Sequence, residues 1–219
     1  MYRFEARIIG RSQGKSATKA AAHNTGKRSS AVASAAYLGR ESITDAKGQT
    51  WDYSRHFGGA GAKLMLPAGA PDWMQDRGEL WRAVEKVENR KDSMLARDYI
   101  LTMPYGLTQK QMWACAQDFA RQHFVSKGKP TDIGLHLYGE PWKAWSKATK
   151  AKVEDWKAQG LPFYEQGRVP ADSLGPHILV IRGKQGQVKE YVRYQPHMYI
   201  MTTFRKIDRA ADAGNAKAA

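Results

Sequence analysis

The chain has 219 residues, of which 42% are hydrophobic, and seven tryptophans, so it is long enough to bury a core and is not globally disordered. Its net charge of +14 and pI of 9.8 favour a polyanionic partner, nucleic acid before an acidic membrane, although charge can also serve solubility alone. A single cysteine excludes an internal disulfide and a cysteine-based zinc site. No apolar run approaches the roughly 18 residues of a membrane span, and the first ten residues lack the apolar core of a signal peptide. We therefore expect a cytoplasmic protein.

The first 41 residues predict a strand, a basic loop and a helix. Residues 2–9 alternate between apolar and charged side chains, which indicates a half-buried strand. A Gly/Ser/Lys-rich loop follows at 10–19, and seven basic residues against one acidic residue fall within the first 28 positions. The alanine-rich segment 29–41, SSAVASAAYLGRE, favours a helix that carries Tyr37 near its end.

The rest of the chain alternates between predicted strands and helices. One helix is predicted at 71–90 with Asp72 as its N-cap, and another at 107–124, where Thr108 and Gln111 form a capping box. Strands are predicted at 45–54, 62–67, 93–104, 130–139 and 175–205, the last with a turn at Gly183–Gly186. This pattern predicts an α+β fold with a central, largely antiparallel sheet flanked by helices.

Two histidines on separate predicted strands are candidate metal ligands. His197 and Tyr199 point to the same face because side chains alternate along a strand, and His136 lies on another predicted strand. If the two strands are neighbours, His136 and His197 converge on one point, as imidazoles do at a metal site. The alternative is that each histidine is a hydrogen-bonded polar residue of a sheet face.

Tyr37 has two interpretations. A tyrosine can act as a nucleophile that forms a covalent intermediate, but its hydroxyl has an ordinary pKa near 10 and needs activation. The small residues before it either leave room for a substrate to reach the phenol or allow close helix packing around a structural tyrosine.

Segment 140–174 mixes tryptophans with lysines. Trp142, Trp145, Val153 and Trp156 are spaced so that they share one face of a predicted helix. Aromatic rings interleaved with cations are typical of single-stranded nucleic-acid binding, and an amphipathic helix with a solvated lysine face explains the pattern equally well.

These motifs, taken in order, resemble the MobA/MobL family of plasmid mobilisation relaxases, the MobQ-type branch with TraA-like proteins, within the HUH endonuclease superfamily. SAVASAAYLGRE is similar to the family's tyrosine motif, and DIGLH and QPHMYIMTTFR to its histidine motifs. WDYSRHFGGAGAKLMLPAGAPDW and LWRAVEKVENRKDSMLARDYILTMPYGLT resemble the segments between them. The resemblance implies one relaxase domain over 1–206 with an insertion at about 140–174, and a low-complexity tail at 207–219 that begins a linker to further domains.

The resemblance also implies a mechanism. Tyr37 is expected to attack a phosphodiester of single-stranded DNA at a transfer origin, giving a 5′-phosphotyrosine and a free 3′ hydroxyl. His136 and His197 are expected to hold Mg²⁺ or Mn²⁺, with Asp98 orienting a ligand. Further DNA contacts are expected from a set of basic and aromatic residues: Arg11, Lys15, Lys27, Arg28, Trp142 and Trp145. Relaxosome accessory proteins and a coupling protein are the expected partners.

Two features depart from the family pattern. Tyr199 stands where a third histidine is usual, and His177 is a speculative replacement. About 60 residues separate His136 from His197, where the family often has a short connection. A non-catalytic relaxase-like DNA-binding module therefore stays open as an alternative. So does a rolling-circle replication initiator, in which the tyrosine usually follows the histidines. If Tyr37 is not the nucleophile, Tyr53 is the next candidate.

Overall fold

The structure, a computed structural model, describes residues 4–10, 30–88, 90, 92–139 and 141–204. Its helices are α1 Ala31–Gly39, α2 Arg77–Val87, α3 Gln109–His123 and α4 Lys147–Ala158, with 3-10 turns at Asp72–Gln75 and Val125–Lys127. Its strands are β1 Phe4–Gly10, β2 Ser42–Thr44, β3 Thr50–Asp52, β4 Gly59–Met65, β5 Met94–Thr102, β6 Thr131–Tyr138, β7 Trp142–Lys143, β8 Phe163–Glu165, β9 Ile178–Arg182 and β10 Val188–Thr203.

One sheet organises the fold. Its main path runs β1-β5-β10-β6-β4, with every pair antiparallel. The first half of the 16-residue β10 pairs with β7 and β9, and β8 adds to β9 in parallel. The predicted α+β class with a largely antiparallel sheet is confirmed.

Helices cover both faces of the sheet. Met198 and Ile200 of β10 face α3, in a cluster that includes Met112, Ala116 and Ala120. Tyr199 and Met201 point to the opposite face, towards α1 and α2. This alternation places the candidate site residues of β10 between the sheet and α1.

The small residues of α1 pack against neighbouring elements. Ala31, Val32, Ala35 and Ala36 are fully buried in the cluster shared with α2 and the sheet. Ser30 caps the helix by accepting from the Ala33 N–H at 3.0 Å, and its hydroxyl donates to Glu85 of α2 at 2.8 Å. Of the two interpretations of this small-residue run, the structure supports close helix packing.

The N-cap predicted for α3 is correct, and the one predicted for α2 is wrong. The Thr108–Gln111 capping box of α3 is present as predicted. Asp72 begins a 3-10 turn and does not cap α2; Asp76 is the N-cap and accepts from the Glu79 N–H at 2.7 Å. Asp76 takes this place because the backbone stays extended there before Arg77.

The segment 141–174 forms β7, α4 and β8, which pack around a small core shared with β9. Val153, Trp156 and Ile178 are its buried members, with Trp142 packed against them. The prediction of one helical face through Trp142 and Trp145 is wrong, because α4 begins only at Lys147 and Trp142 pairs with Tyr191 of β10.

Several sequence predictions fall outside the described residues. They are the tail at 207–219 and the basic residues Arg11, Lys15, Lys27 and Arg28. Within the part of the chain that the structure describes, no helix has the length and apolar character needed to cross a membrane.

Candidate active site

Tyr37 lies in a ring of aromatic side chains at the end of α1. It is 5% exposed, and its ring centroid is 5.4 Å from those of Tyr53 and His136 and 5.9 Å from that of Tyr199, all in edge-on arrangements. The guanidinium carbon of Arg40 lies over the same ring, 4.3 Å from its centroid. Helix, sheet and the loop after β3 therefore meet at this phenol.

The two predicted histidines are direct neighbours. His197 of β10 and His136 of β6 are register partners, so their side chains share the face that α1 covers. The two imidazoles thus meet on one face, as the sequence predicts for neighbouring strands, and the ring of His136 also lies beside Tyr37.

Gly134 allows α1 to approach β6 closely. A Cβ at this position would lie 2.5 Å from the carbonyl oxygen of Leu38, nearer than carbon and oxygen atoms normally approach. The same carbonyl accepts a hydrogen bond from Nε2 of His136 at 3.1 Å. The last turn of α1, and Tyr37 with it, is thus held by β6.

This contact makes Gly134→Ala a test of how α1 is seated. We expect the variant to lose about 1–3 kcal/mol of unfolding free energy, because backbone must move to admit the methyl group. Chemical denaturation measures the loss. Gly175→Ala, where nothing lies within 4 Å of the added carbon, is the control and should stay within about 0.5 kcal/mol. Equal stability of the two variants would contradict the close contact.

The protonation of His136 follows from its surroundings. Because Nε2 donates to Leu38, Nδ1 carries the lone pair and accepts from Nη2 of Arg40 at 3.3 Å. Burial, reinforced by the positive charge of Arg40, lowers the pKa of His136 to about 3. The imidazole is therefore neutral across the physiological range.

Tyr199 is a neutral hydrogen-bond donor to the candidate nucleophile. Burial, followed by the charge and hydrogen bond of Tyr37, raises the pKa of Tyr199 far above its usual range. A hydrogen bond that favours the protonated form of Tyr199 is one in which its hydroxyl donates to the Tyr37 oxygen. Tyr199, which stands where the resemblance leads one to expect a third histidine, thus contacts Tyr37 and stays protonated.

A model of the MobA/MobL family matches residues 29–157, more than half of the chain. The chain belongs to the MobA/MobL family. The match includes Tyr37 and His136 and ends before His197. The resemblance on which the sequence interpretation rests is confirmed.

Two curated relatives of this MobA/MobL chain carry names from DNA transfer. Mobilization protein MobL of Acidithiobacillus ferridurans is 34% identical over 137 residues, which is 62% of this chain and 32% of MobL. Conjugal transfer protein TraA of Agrobacterium fabrum C58 is 30% identical over 143 residues, 61% of this chain and 12% of TraA. The chain thus spans about a third of MobL and about an eighth of TraA.

A solved structure shares the fold. It comes from work on the molecular basis of vancomycin resistance transfer in Staphylococcus aureus, with a TM-score of 0.59 and 22% identity. The likeness covers 95% of this chain and 72% of that one. The MobA/MobL domain described here therefore has a known architecture.

As the side chains lie, three of the four ring nitrogens of the two expected metal ligands contact protein groups. Both ring nitrogens of His136 are engaged by protein, and Nδ1 of His197 lies 2.7 Å from the Gln195 carbonyl, so the His197 lone pair is on Nε2. Tyr199 is a neutral phenol, which is a poor ligand. No group of three or more histidine, cysteine or acidic residues in the described ranges is placed to hold a cation. A metal at His136 would have to displace Arg40.

Asp98 faces this site, whereas His177 lies in a separate cluster. Asp98 is buried on β5 opposite Met201, and its charge contributes to the raised pKa of Tyr199, so it faces the site. His177 stacks on Tyr194 at 4.6 Å, and its nitrogens contact the Gly175 carbonyl and the Tyr138 hydroxyl. With both nitrogens engaged in that separate aromatic cluster, His177 does not complete the histidine pair.

The two candidate DNA-contacting tryptophans differ in exposure. Trp145 is 69% exposed, with the Lys143 ammonium 5.7 Å from its ring centroid. Trp142 packs against the small core, and the Lys152 ammonium lies 4.6 Å from its ring centroid. Only Trp145 offers a largely open ring for a base to stack on.

Sequence reasoning missed Arg40 and His56. Arg40 follows α1 directly, and His56 is an exposed imidazole whose ring centroid is 6.4 Å from that of Tyr37. The motif YLGRE places an arginine three residues after the tyrosine, which is the one signal that pointed to Arg40.

Proposed function

We propose that this chain is the catalytic domain of a DNA relaxase, an HUH-type transesterase that cleaves one strand at a transfer origin. The observation that carries the proposal is the arrangement around Tyr37. Its oxygen accepts from Tyr199, a guanidinium covers its ring, and His136 lies beside it. Membership of a family whose relatives are named for mobilisation and conjugal transfer supports the same function.

The proposed reaction exchanges one phosphate ester for another. The Tyr37 oxygen attacks the phosphorus, the bond from phosphorus to the 3′ oxygen breaks, and a 5′-phosphotyrosine forms. The phenol loses its proton and the departing 3′ oxygen gains one, so no hydrolysis is needed and the step is reversible. Because Tyr37 is only 5% exposed, the side chains around it must move before DNA reaches its hydroxyl.

The proposed steps use only groups of the chain and of the DNA. The resemblance implies Mg²⁺ or Mn²⁺ between His136 and His197, and such a cation would withdraw charge from the phosphate when bound. As the side chains lie, Arg40 already occupies the Nδ1 side of His136.

The substrate and partners follow from the charge and the family. A net charge of +14 and the open ring of Trp145 beside Lys143 suit single-stranded DNA, whose phosphates pair with cations and whose bases stack on rings. We extend the proposal to action in the bacterial cytoplasm together with relaxosome accessory proteins and a coupling protein.

A labelled-strand experiment tests the proposal. Single-stranded oligonucleotides that cover the DNA flanking the gene for this chain (the element) are labelled at one end, incubated with protein and run on a denaturing gel. A 3′-labelled substrate should give labelled protein, and the same substrate labelled at its 5′ end should give a short free product. Cleavage without labelled protein would show hydrolysis and contradict the transesterase.

A non-catalytic DNA-binding module is the second candidate, favoured by the engaged nitrogens of His136 and the missing third histidine. It predicts binding that weakens steeply with salt, and no cleavage with or without Mg²⁺ or Mn²⁺. Any covalent adduct excludes it.

The hydrogen bond from Tyr199 supplies a further prediction. Tyr199→Phe removes the hydroxyl that donates to Tyr37 and keeps the ring that packs against His136 at 4.5 Å. We expect the rate of adduct formation to fall about fivefold, since one oriented hydrogen bond is worth about 1 kcal/mol. Tyr164→Phe, in the separate aromatic cluster around His177, is the matched control and should not change the rate. A Tyr199→Phe rate equal to wild type would contradict a role for this bond.

A further inference from the structure

Arg40 has a backbone conformation that other non-glycine residues in the described ranges avoid. Its φ of 54° and ψ of 47° are left-handed, and it is the one non-glycine residue there with positive φ. Its N–H closes α1 by bonding to the carbonyls of Ala36 and Tyr37. This conformation costs on the order of 1 kcal/mol for a residue with a Cβ, so a local purpose is expected.

The surroundings of Arg40 fix its side chain over Tyr37. Nη2 lies 3.3 Å from Nδ1 of His136 and 3.5 Å from the Phe57 carbonyl oxygen. A Cβ on Gly59 would lie 2.6 Å from Cγ of Arg40, so the glycine provides the space that the arginine stem fills. His136, the loop before β4 and the phenol ring together hold one cation in one place.

The guanidinium nevertheless has hydrogen-bonding capacity left. Nε and Nη1 of Arg40 are buried and have no hydrogen-bond partner, and none of the ion pairs between described residues includes it. By contrast, Arg77 nearby is paired with both Asp132 and Glu41. Buried N–H groups without acceptors are rare and costly, and an anion that enters the site would satisfy them.

We propose that Arg40 is the catalytic cation that binds the scissile phosphate, in the place where the family resemblance implies a metal ion. The proposal rests on the proposed relaxase function. An arginine is always charged and donates several hydrogen bonds to phosphate oxygens. Because its guanidinium covers the ring whose hydroxyl attacks, a phosphate bound to Nε or Nη1 lies beside the nucleophile.

His136 acts as a positioning residue in this arrangement. Its bond to the Leu38 carbonyl sets the tautomer, and the Nδ1 lone pair then orients Arg40. Charge that builds up on the phosphate during attack is then met by a cation whose orientation His136 sets. Adduct formation is then expected to proceed without any divalent ion.

The first test measures binding in a background without chemistry. In Tyr37→Phe protein, Arg40→Gln should bind a single-stranded oligonucleotide of the element about tenfold more weakly. The slope of log affinity against log salt concentration should fall by about one, the value for one lost phosphate contact. Arg121→Gln removes the same charge from an exposed residue of α3, on the opposite face of the sheet, and should bind within about twofold of its parent. Equal affinities and equal salt slopes for the two variants would overturn the proposal.

The second test measures chemistry in EDTA. Wild-type protein should form the adduct at an unchanged rate, Arg40→Gln at least about a hundredfold more slowly, and Arg40→Lys at an intermediate rate. Thermal melting shows whether each variant is folded, and the lysine stem keeps the contact with Gly59. Loss of the wild-type adduct in EDTA, with recovery on adding Mg²⁺ or Mn²⁺, would overturn the proposal in favour of a metal. If wild type forms no adduct under any condition, the relaxase function fails, and the binding test still decides whether Arg40 contacts phosphate.

Discussion

Tyr37→Phe is expected to abolish the covalent protein–DNA adduct and strand cleavage together, by at least about a thousandfold. The substitution removes one oxygen and leaves the ring that packs against Tyr53 and lies under Arg40. The fold and the affinity for single-stranded DNA should therefore stay close to those of wild type. Single-turnover adduct formation and a binding titration on the same protein measure the two quantities.

Tyr53→Phe is the matched control for that experiment. Tyr53 lies 5.4 Å from Tyr37 between ring centroids, and burial raises the pKa of its hydroxyl, which keeps the phenol protonated. The variant should retain adduct formation. If Tyr37→Phe still forms the adduct and Tyr53→Phe does not, the assignment of the nucleophile is wrong.

Asp132→Ala is expected to cost about 3–5 kcal/mol of unfolding free energy, because it leaves a mostly buried cation without its partner. Asp132 is fully buried on β6 and accepts from Nε and Nη2 of Arg77 at 2.7 and 3.1 Å and from the Trp81 indole at 3.2 Å. Burial raises the pKa of Asp132 to about 6 against the pull of Arg77, so the carboxylate is still largely ionised at neutral pH.

The same network reaches the candidate active site. Arg77 also pairs with Glu41, the residue that follows Arg40, so the network anchors α2, β6 and the end of α1 to one another. Denaturation by urea measures the cost of Asp132→Ala. Asp118→Ala breaks an exposed ion pair with Arg121 and should cost less than about 1 kcal/mol. Similar losses for both variants would contradict the structural importance of the buried network.

The histidine pair shows what strand periodicity can predict. Alternation along a strand places His197 and Tyr199 on one face, and the register of β10 with β6 then puts His136 opposite His197. That register includes an irregularity between Tyr194 and His197, where Pro196 interrupts the ladder. The alternation of side chains along each strand indicates which face a residue lies on. The bulge that aligns the two imidazoles depends on the pairing of β10 with β6, which the local sequence does not show.

Arg40 shows what the sequence does not reveal. Its left-handed backbone depends on how α1 ends against β6. The space that its side chain fills depends on Gly59, which lies 19 residues further along the chain. Helix-capping preferences would place Gly39 at the left-handed position that ends α1, since glycine adopts this conformation without strain. In the structure Arg40 has the left-handed conformation instead, and its side chain folds back over the ring of Tyr37.

Trp142 and Trp145 show how periodicity misleads in a basic segment. Helical spacing connects them to Val153 and Trp156, yet Ser146 marks the start of α4 and the two earlier tryptophans lie in a strand and a turn. Pairing of Trp142 with β10 outweighs the local pattern, because the strand pairing and the small core are satisfied together. The exposed ring of Trp145 is a consequence of that break.

The proposal that Tyr37 becomes joined to DNA is tested most directly by mapping the adduct. Nuclease and trypsin digestion of the purified adduct leaves a nucleotide on one peptide, which tandem mass spectrometry identifies. Trypsin cuts after Arg28 and Arg40, so Tyr37 lies in SSAVASAAYLGR, whereas Tyr53 lies in GQTWDYSR. We predict the phosphonucleotide on the tyrosine of SSAVASAAYLGR. A phosphonucleotide on GQTWDYSR, or on any other peptide, would contradict Tyr37 as the nucleophile.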